Sequence, residues 1–211
     1  MRAPSVIAGN SIGAVTVLSA AFLEPSLVRG IALLNAAGRF DEDATAAAPP
    51  APPNGLQAAL SDAVRRIISA AIFYSTKYRI APILRTVYVD HTKVDEQLIE
   101  SIYSPACDPQ ALDAFFLISG SGGRSKNSLN TLLRAGLDAP GGPLPLLLVW
   151  GQQDPWMRPN KATRIMELYP GARLVTVDNG SHCPHDDAPE AVNAALLEWM
   201  ATLPPAALGA L

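Results

Sequence analysis

Apolar positions in this chain fall into short continuous runs rather than alternating ones. Ser5-Val6-Ile7-Ala8 is a run stopped by Gly9, and Val28 to Leu34 (VRGIALL) is a second. Leu144 to Trp150 (LPLLLVW) is a third, closed by Gly151, and Arg173 to Val177 (RLVTV) is a fourth. Runs of this length bounded by turn residues predict strands buried on both faces. Between them the period changes. Ile12 to Leu23 predicts a helix that ends before Pro25, and Asn160 to Tyr169 an amphipathic helix ended by Pro170-Gly171. Asp187 to Leu203 predicts a last helix, with Asp187 as its cap and Pro189 in the first turn. Strands alternating with helices predict an α/β fold with a parallel sheet covered on both faces.

The stretch between the second and third strands breaks that rhythm. It opens with an Ala- and Pro-rich linker from Asp41 to Gly55. Leu56 to Tyr74 is helical by period, since Leu56, Leu60, Val64, Ile67, Ile68, Ala71 and Ile72 share a face. Thr92-Lys93-Val94-Asp95 has the pattern of a capping box opening a helix through Tyr103, and Asp108-Pro109 opens another through Ile118. The domain organisation expected is a core from residues 1–38 and 144–211, with a helical cap inserted at 39–143. No internal repeat is visible.

Composition narrows the function classes. The 211 residues are 49% hydrophobic and 17% charged, which supports a folded core and excludes general disorder. Net charge is −3 and no run of five basic residues occurs, which argues against a nucleic-acid partner. Cys107 and Cys183 are too few for a disulfide framework. The Ile12–Leu23 stretch is too short to span a bilayer, which takes about 20 apolar residues. It resembles a secretory apolar region, but the reading that follows explains the same residues better. No transit peptide is visible.

Gly9-Asn10-Ser11-Ile12-Gly13 is G-x-S-x-G between a predicted strand and a predicted helix, the context a nucleophile elbow requires. Such a turn needs small flanking residues, lifts the serine hydroxyl above the strand ends, and points the backbone N–H of Ile12 at a developing oxyanion. A serine needs a base to take its proton. His182, on the loop before the last helix, is preferred over His185; His91 falls in the inserted region. The base needs an acid. Asp154 follows the third strand and completes the chain order Ser11, Asp154, His182, with Asp178 and Asp186 as alternatives. Cys183 is a weaker candidate nucleophile. No HExxH, CxxC or paired-His spacing suggests a metal, and no G-x-G-x-x-G suggests a dinucleotide.

These pieces resemble α/β-hydrolases with a helical cap, and within them the chlorophyll dephytylase and pheophytinase group. The matching segments are GNSIG at Gly9, LLNAAG at Leu33, VDEQLIESIYSPACDP at Val94, LLLVWGQQDPW at Leu146 and GSHCPHDDAPEAVNAALLEW at Gly180. The resemblance implies Ser11 as nucleophile, Asp154 as acid and His182 as base. It also implies hydrolysis of the phytyl ester of chlorophyll-type pigments in the chloroplast, without a cofactor. An apolar ester is the implied partner, with peripheral membrane association and oligomeric state left open. The linker and Ser119 to Arg134 follow the group less closely.

The fold resembled has several strands before the elbow, whereas only residues 1–8 precede Gly9 here. The expectations are that Met1 is an internal start or the chain a fragment, and that the first strand lacks a neighbour. The loop giving a second oxyanion N–H is then absent and turnover by these residues alone is poor. Competing readings are a non-catalytic remnant acting as a binding or regulatory protein, and a general lipase or acyltransferase.

Overall fold

The computed structural model describes residues 4–44, 55–120 and 127–204. In chain order the elements are β1 (Ser5–Asn10), α1 (Ile12–Leu23), β2 (Val28–Leu34), α2 (Gly55–Val87), α3 (Glu96–Tyr103), α4 (Ala111–Gly120) and α5 (Leu129–Leu137). They continue with β3 (Leu146–Gly151), α6 (Asn160–Leu168), β4 (Arg173–Val177), α7 (Pro184–Asp187) and α8 (Pro189–Thr202). The described residues group into two compact units. One lies within Met1–Asp43, Val87–Val89 and Ser125–Leu211, the other within Ala44–Thr86 and Asp90–Arg124. Of the insertion expected at 39–143, residues 39–43, 87–89 and 125–143 thus fall in the first unit.

The first unit holds a four-stranded sheet in the order β1-β2-β3-β4. Every pair is parallel, in registers such as Gly9↔Leu33, Leu33↔Leu148 and Val149↔Val175. The apolar runs have no polar alternation because both faces are covered. Leu146, Leu148 and Trp150 of β3 point to one side, with Leu18 of α1, Leu132 and Leu133 of α5 and Ile165 of α6. Leu147 and Val149 point to the other, with Val192 and Trp199 of α8. This is the parallel α/β sheet that the sequence predicts.

The second unit is helical. The helix expected to end at Tyr74 runs on to Val87 as α2, through Pro82. Of its expected stripe, Val64, Ile67, Ile68 and Ile72 are exposed, while the side chains of Leu56 and Leu60 lie outside the described residues. The expected capping box at Thr92 is absent. Asp90 instead caps a short 3-10 turn at His91–Lys93, and Asp95 caps α3 by accepting from Leu98 N–H at 2.8 Å. An Asp at the position after Val94 competes with Thr for the same helix start and offers a charged acceptor to the free amides of the first turn. The linker residues 45–54 lie outside the described residues. Among those described, no helix is long and apolar enough to cross a membrane.

Candidate active site

The loops that leave the C-terminal ends of four parallel strands meet at one edge of the sheet, the position where sites in such sheets form. Ser11 follows β1, Asn35 follows β2, Asp154 follows β3 and His182 follows β4. Ser11 turns the chain from β1 into α1 at φ 51° and ψ −119°. Positive φ in a non-glycine residue is strained and persists only where surrounding bonds fix it. Here they do: Ser11 N–H donates to Leu34 O at 3.0 Å, and Ser11 O accepts from Ala14 N–H and Ala37 N–H, each at 3.0 Å. Gly9 permits the tight return, since a Cβ there would lie 2.3 Å from Gly13 O. Gly13 has open space around it, so of the two flanking glycines only Gly9 is required sterically. Ser11 is half-buried, and Ile12 is exposed at the head of α1. The first N–H groups of a helix have no partner within it, which leaves the Ile12 amide available to an anion.

Asp154 and His182 are brought together directly. His182 Nδ1 lies 2.8 Å from Asp154 Oδ2, with the two residues only 5% and 3% exposed. Asp154 Oδ1 accepts from Trp156 N–H at 2.7 Å and Met157 N–H at 2.9 Å, and Oδ2 also accepts from Asn35 Nδ2 at 2.6 Å. Burial opposes ionisation of this carboxyl, but these four donors outweigh it and hold Asp154 below the usual carboxylate range. The loop of His182 is seated against the end of β3, where a Cβ on Gly151 would lie 2.2 Å from Ser181 O. Asn10 Nδ2 donates to His182 O at 2.8 Å, joining the residue before Ser11 to the histidine. The Trp156 ring lies 4.9 Å from the imidazole, centroid to centroid.

The segment Val87–Val89 completes the support. His182 N–H donates to Val87 O at 3.2 Å, and Tyr88 Oη donates to Asp186 Oδ2 at 2.5 Å. Asp187, expected as the cap of α8, is instead buried. It accepts from Val89 N–H at 3.0 Å and Ser181 N–H at 2.9 Å, while Ala188 stands at the cap position. A carboxylate with amide donors on both sides gains more there than at a helix end open to water.

The alternatives raised by the sequence differ from these residues in burial or partners. Asp178 is exposed, and the bond it makes is through its backbone O to Gln153 Nε2. Asp186 is engaged by Tyr88. His185 and His91 are exposed. Burial, followed by the nearby Asp186 carboxylate, pushes the Cys183 thiol up to about 11, which leaves little thiolate at neutral pH. Sequence reasoning gave no role to Asn35 or Asn10. Asn35 carried a signal, a polar residue closing a continuous apolar strand at the edge where the other candidates gather. No group of His, Cys, Asp and Glu suited to a metal occurs among the described residues.

The sequence model described as the Alpha/beta hydrolase family matches residues 1–195. The chain belongs to the alpha/beta hydrolase family. It is 30% identical over 202 residues to the chloroplastic pheophytinase of Arabidopsis thaliana, a match that covers 93% of this chain and 41% of that protein. Solved alpha/beta hydrolase structures share the fold. A meta-cleavage product hydrolase from Pseudomonas fluorescens is 18% identical with a TM-score of 0.66, the match covering 94% of this chain and 65% of that one. A thermophilic esterase from Thermogutta terrifontis is 20% identical with a TM-score of 0.64, covering 94% of this chain and 64% of that one. The chain therefore spans less than half of the pheophytinase it matches and about two-thirds of these solved relatives.

Proposed function

We propose that this site hydrolyses a carboxylic ester, with Ser11 as nucleophile, His182 as general base and acid, Asp154 as the orienting carboxylate and the Ile12 N–H as an oxyanion donor. The observation that carries the reading is the buried 2.8 Å bond between His182 Nδ1 and Asp154 Oδ2. It lies at the strand ends, where Asn10 bonds His182 O and the next residue, Ser11, is held at positive φ. An ionised carboxylate only accepts, so Nδ1 carries the proton and Nε2 is left as the basic nitrogen. In the proposed reaction His182 takes the Ser11 hydroxyl proton as Oγ attacks the ester carbonyl, and the oxyanion forms toward Ile12 N–H. The carbonyl re-forms as the C–O bond to the alcohol breaks, and His182 returns the proton to that oxygen. Water, deprotonated by the same histidine, then releases the acid from Ser11.

The proposed substrate is an ester with a long apolar alcohol, the phytyl ester of a chlorophyll-type pigment being the first candidate, and the proposed location is the chloroplast. The named function of the Arabidopsis relative supports both. The helical unit, proposed as the cap of the enzyme, supports an apolar substrate through a cleft of about 270 Å³. Ile72, Ile80, Ile83, Leu84, Ile102 and Phe115 line it, with Arg79 the one charged side chain among the described lining residues.

The test is Ser11→Ala. It should abolish both hydrolysis of an activated aryl ester and labelling by a fluorophosphonate probe, with the thermal transition kept. Turnover equal to that of the parent chain would remove Ser11 from the mechanism. A parent chain that neither labels nor turns over would favour a non-catalytic role.

A further inference from the structure

We propose that Asn35 is a positioning residue for the acid of this site: its carboxamide, anchored at one end to the Gly151 amide, holds Asp154 Oδ2 in line with His182 Nδ1. The inference rests on the reading of Asp154 and His182 as acid and base. Asn35 Oδ1 accepts from Gly151 N–H at 2.9 Å, and Asn35 Nδ2 donates to Asp154 Oδ2 at 2.6 Å. Its own N–H donates to Val149 O at 3.1 Å, which extends the β2–β3 ladder by one residue. The residue is fully buried.

The backbone shows that the side chain is what this position presents. Asn35 sits at φ 41°, a region that glycine occupies without strain and asparagine tolerates. The connection from β2 would be met more easily by glycine, yet the position carries an amide bonded at both ends.

The two oxygens of Asp154 have different tasks. Oδ1 is bonded to the amides of its own loop, Trp156 and Met157. Oδ2 carries the bonds that reach beyond that loop, to Asn35 and to His182. Asn35 thus fastens a carboxylate on a loop to two adjacent strands of the sheet. It also takes part of the charge of Oδ2 and moderates the pull of that oxygen on the imidazole. An orienting group fixed in this way sets the direction of the base without touching the substrate.

Asn35→Gly removes the amide and keeps the backbone conformation. Asn35→Asp keeps the acceptor for Gly151 and places a carboxylate where the donor stood. Both should lower kcat by about 10–100-fold, the usual cost of losing such a support, while KM changes by less than about threefold. In Asn35→Gly the low-field proton resonance of His182 Nδ1 should move further downfield, because Oδ2 freed of its second donor is a stronger acceptor. A purely structural role would lower the thermal transition and leave that resonance and kcat in place, and this result would overturn the proposal. Ser11→Ala separates the two claims. Turnover surviving in Ser11→Ala defeats the nucleophile assignment, whereas an unmoved resonance in folded Asn35→Gly defeats the role of Asn35.

Discussion

Asp154 is a charge placed where water does not reach it, and it stays a charge because four donors replace that water. Asp154→Asn keeps the shape but offers an amide where the imidazole needs an acceptor, so the wrong tautomer of His182 is favoured. Turnover should fall by about 10⁴, as for the same change in another triad enzyme. Asp178→Asn, at an exposed side chain, should fall by less than about twofold, within the range of a surface change. The reverse order would transfer the role to Asp178. The carboxyl also affects stability. Its folded-state value is depressed, so its contribution is present above the ordinary value of about 3.9 and is lost as pH falls through the lower folded-state value. The stability gap between the parent chain and Asp154→Asn in denaturant melts should therefore shrink below about pH 4 and be flat above about pH 5; a gap that is constant down to pH 2 would contradict the depressed value. Residues of this kind differ in how far sequence reveals them. Ser11, Asp154 and His182 stand out because motif, strand ends and chain order agree. Asn35 and Asp187 do not, because their roles depend on which backbone amides folding brings within 3 Å.

At the scale of elements, local pattern placed the strands and the helices that flank them to within a few residues; in the inserted region it found three helices, α2, α3 and α4, but missed the end of α2 and all of α5. The sheet is legible because each strand is short, continuous and punctuated by glycine or proline, and because both faces are buried. Helix α2 runs 13 residues beyond the expected Tyr74, through Pro82, where the apolar period gives no stop signal. Helix α5 was not expected, although its apolar residues keep the helical period: Leu129, Leu132, Leu133 and Gly136 are buried, and Ser128 caps its first turn. At nine residues it is shorter than an isolated helix sustains, so packing of that apolar face holds it. The elbow gives the sharpest test at this scale. Gly9→Ala must push β1 and α1 apart, since its Cβ meets backbone atoms rather than a flexible side chain. It should cost about 1–3 kcal/mol, the range for overpacking. Gly13→Ala adds a methyl in open space inside a helix, and should leave stability unchanged or raise it by up to about 1 kcal/mol. Thermal melts of the two variants decide it: equal losses would mean that the close approach at Gly9 does not set the elbow.

For the whole molecule, the alternation of apolar strands with helices was enough to infer a parallel sheet, but not where that sheet stops. In the described sheet β1 is an edge strand, paired with β2 on one side. It is an apolar edge: Val6 packs toward the α8 side and Ile7 toward the α1 side, both half-buried, and Ala8 is exposed. Exposed Phe22 and Leu23 near the end of α1 add apolar surface. An edge of this kind offers a row of backbone donors and acceptors to any strand that meets it, and here no charged side chain between Ser5 and Asn10 discourages the pairing. The 211-residue chain should therefore self-associate as its concentration rises, and sedimentation velocity should show the monomer fraction falling. Ala8→Lys places a cation at an exposed position of β1, on the face of Val6 but outside both apolar clusters, so it should restore the monomer while leaving the thermal transition within the small range of a surface change. The position is chosen because Val6→Lys or Ile7→Lys would disturb packing against the sheet faces and confuse edge chemistry with loss of fold. A parent chain that is monomeric at ~100 μM, a range where exposed edges readily associate, would show that the edge is already protected. Association that Ala8→Lys leaves unchanged would place the contact elsewhere, with the exposed Val64, Ile67 and Ile68 of α2 as the next surface to charge.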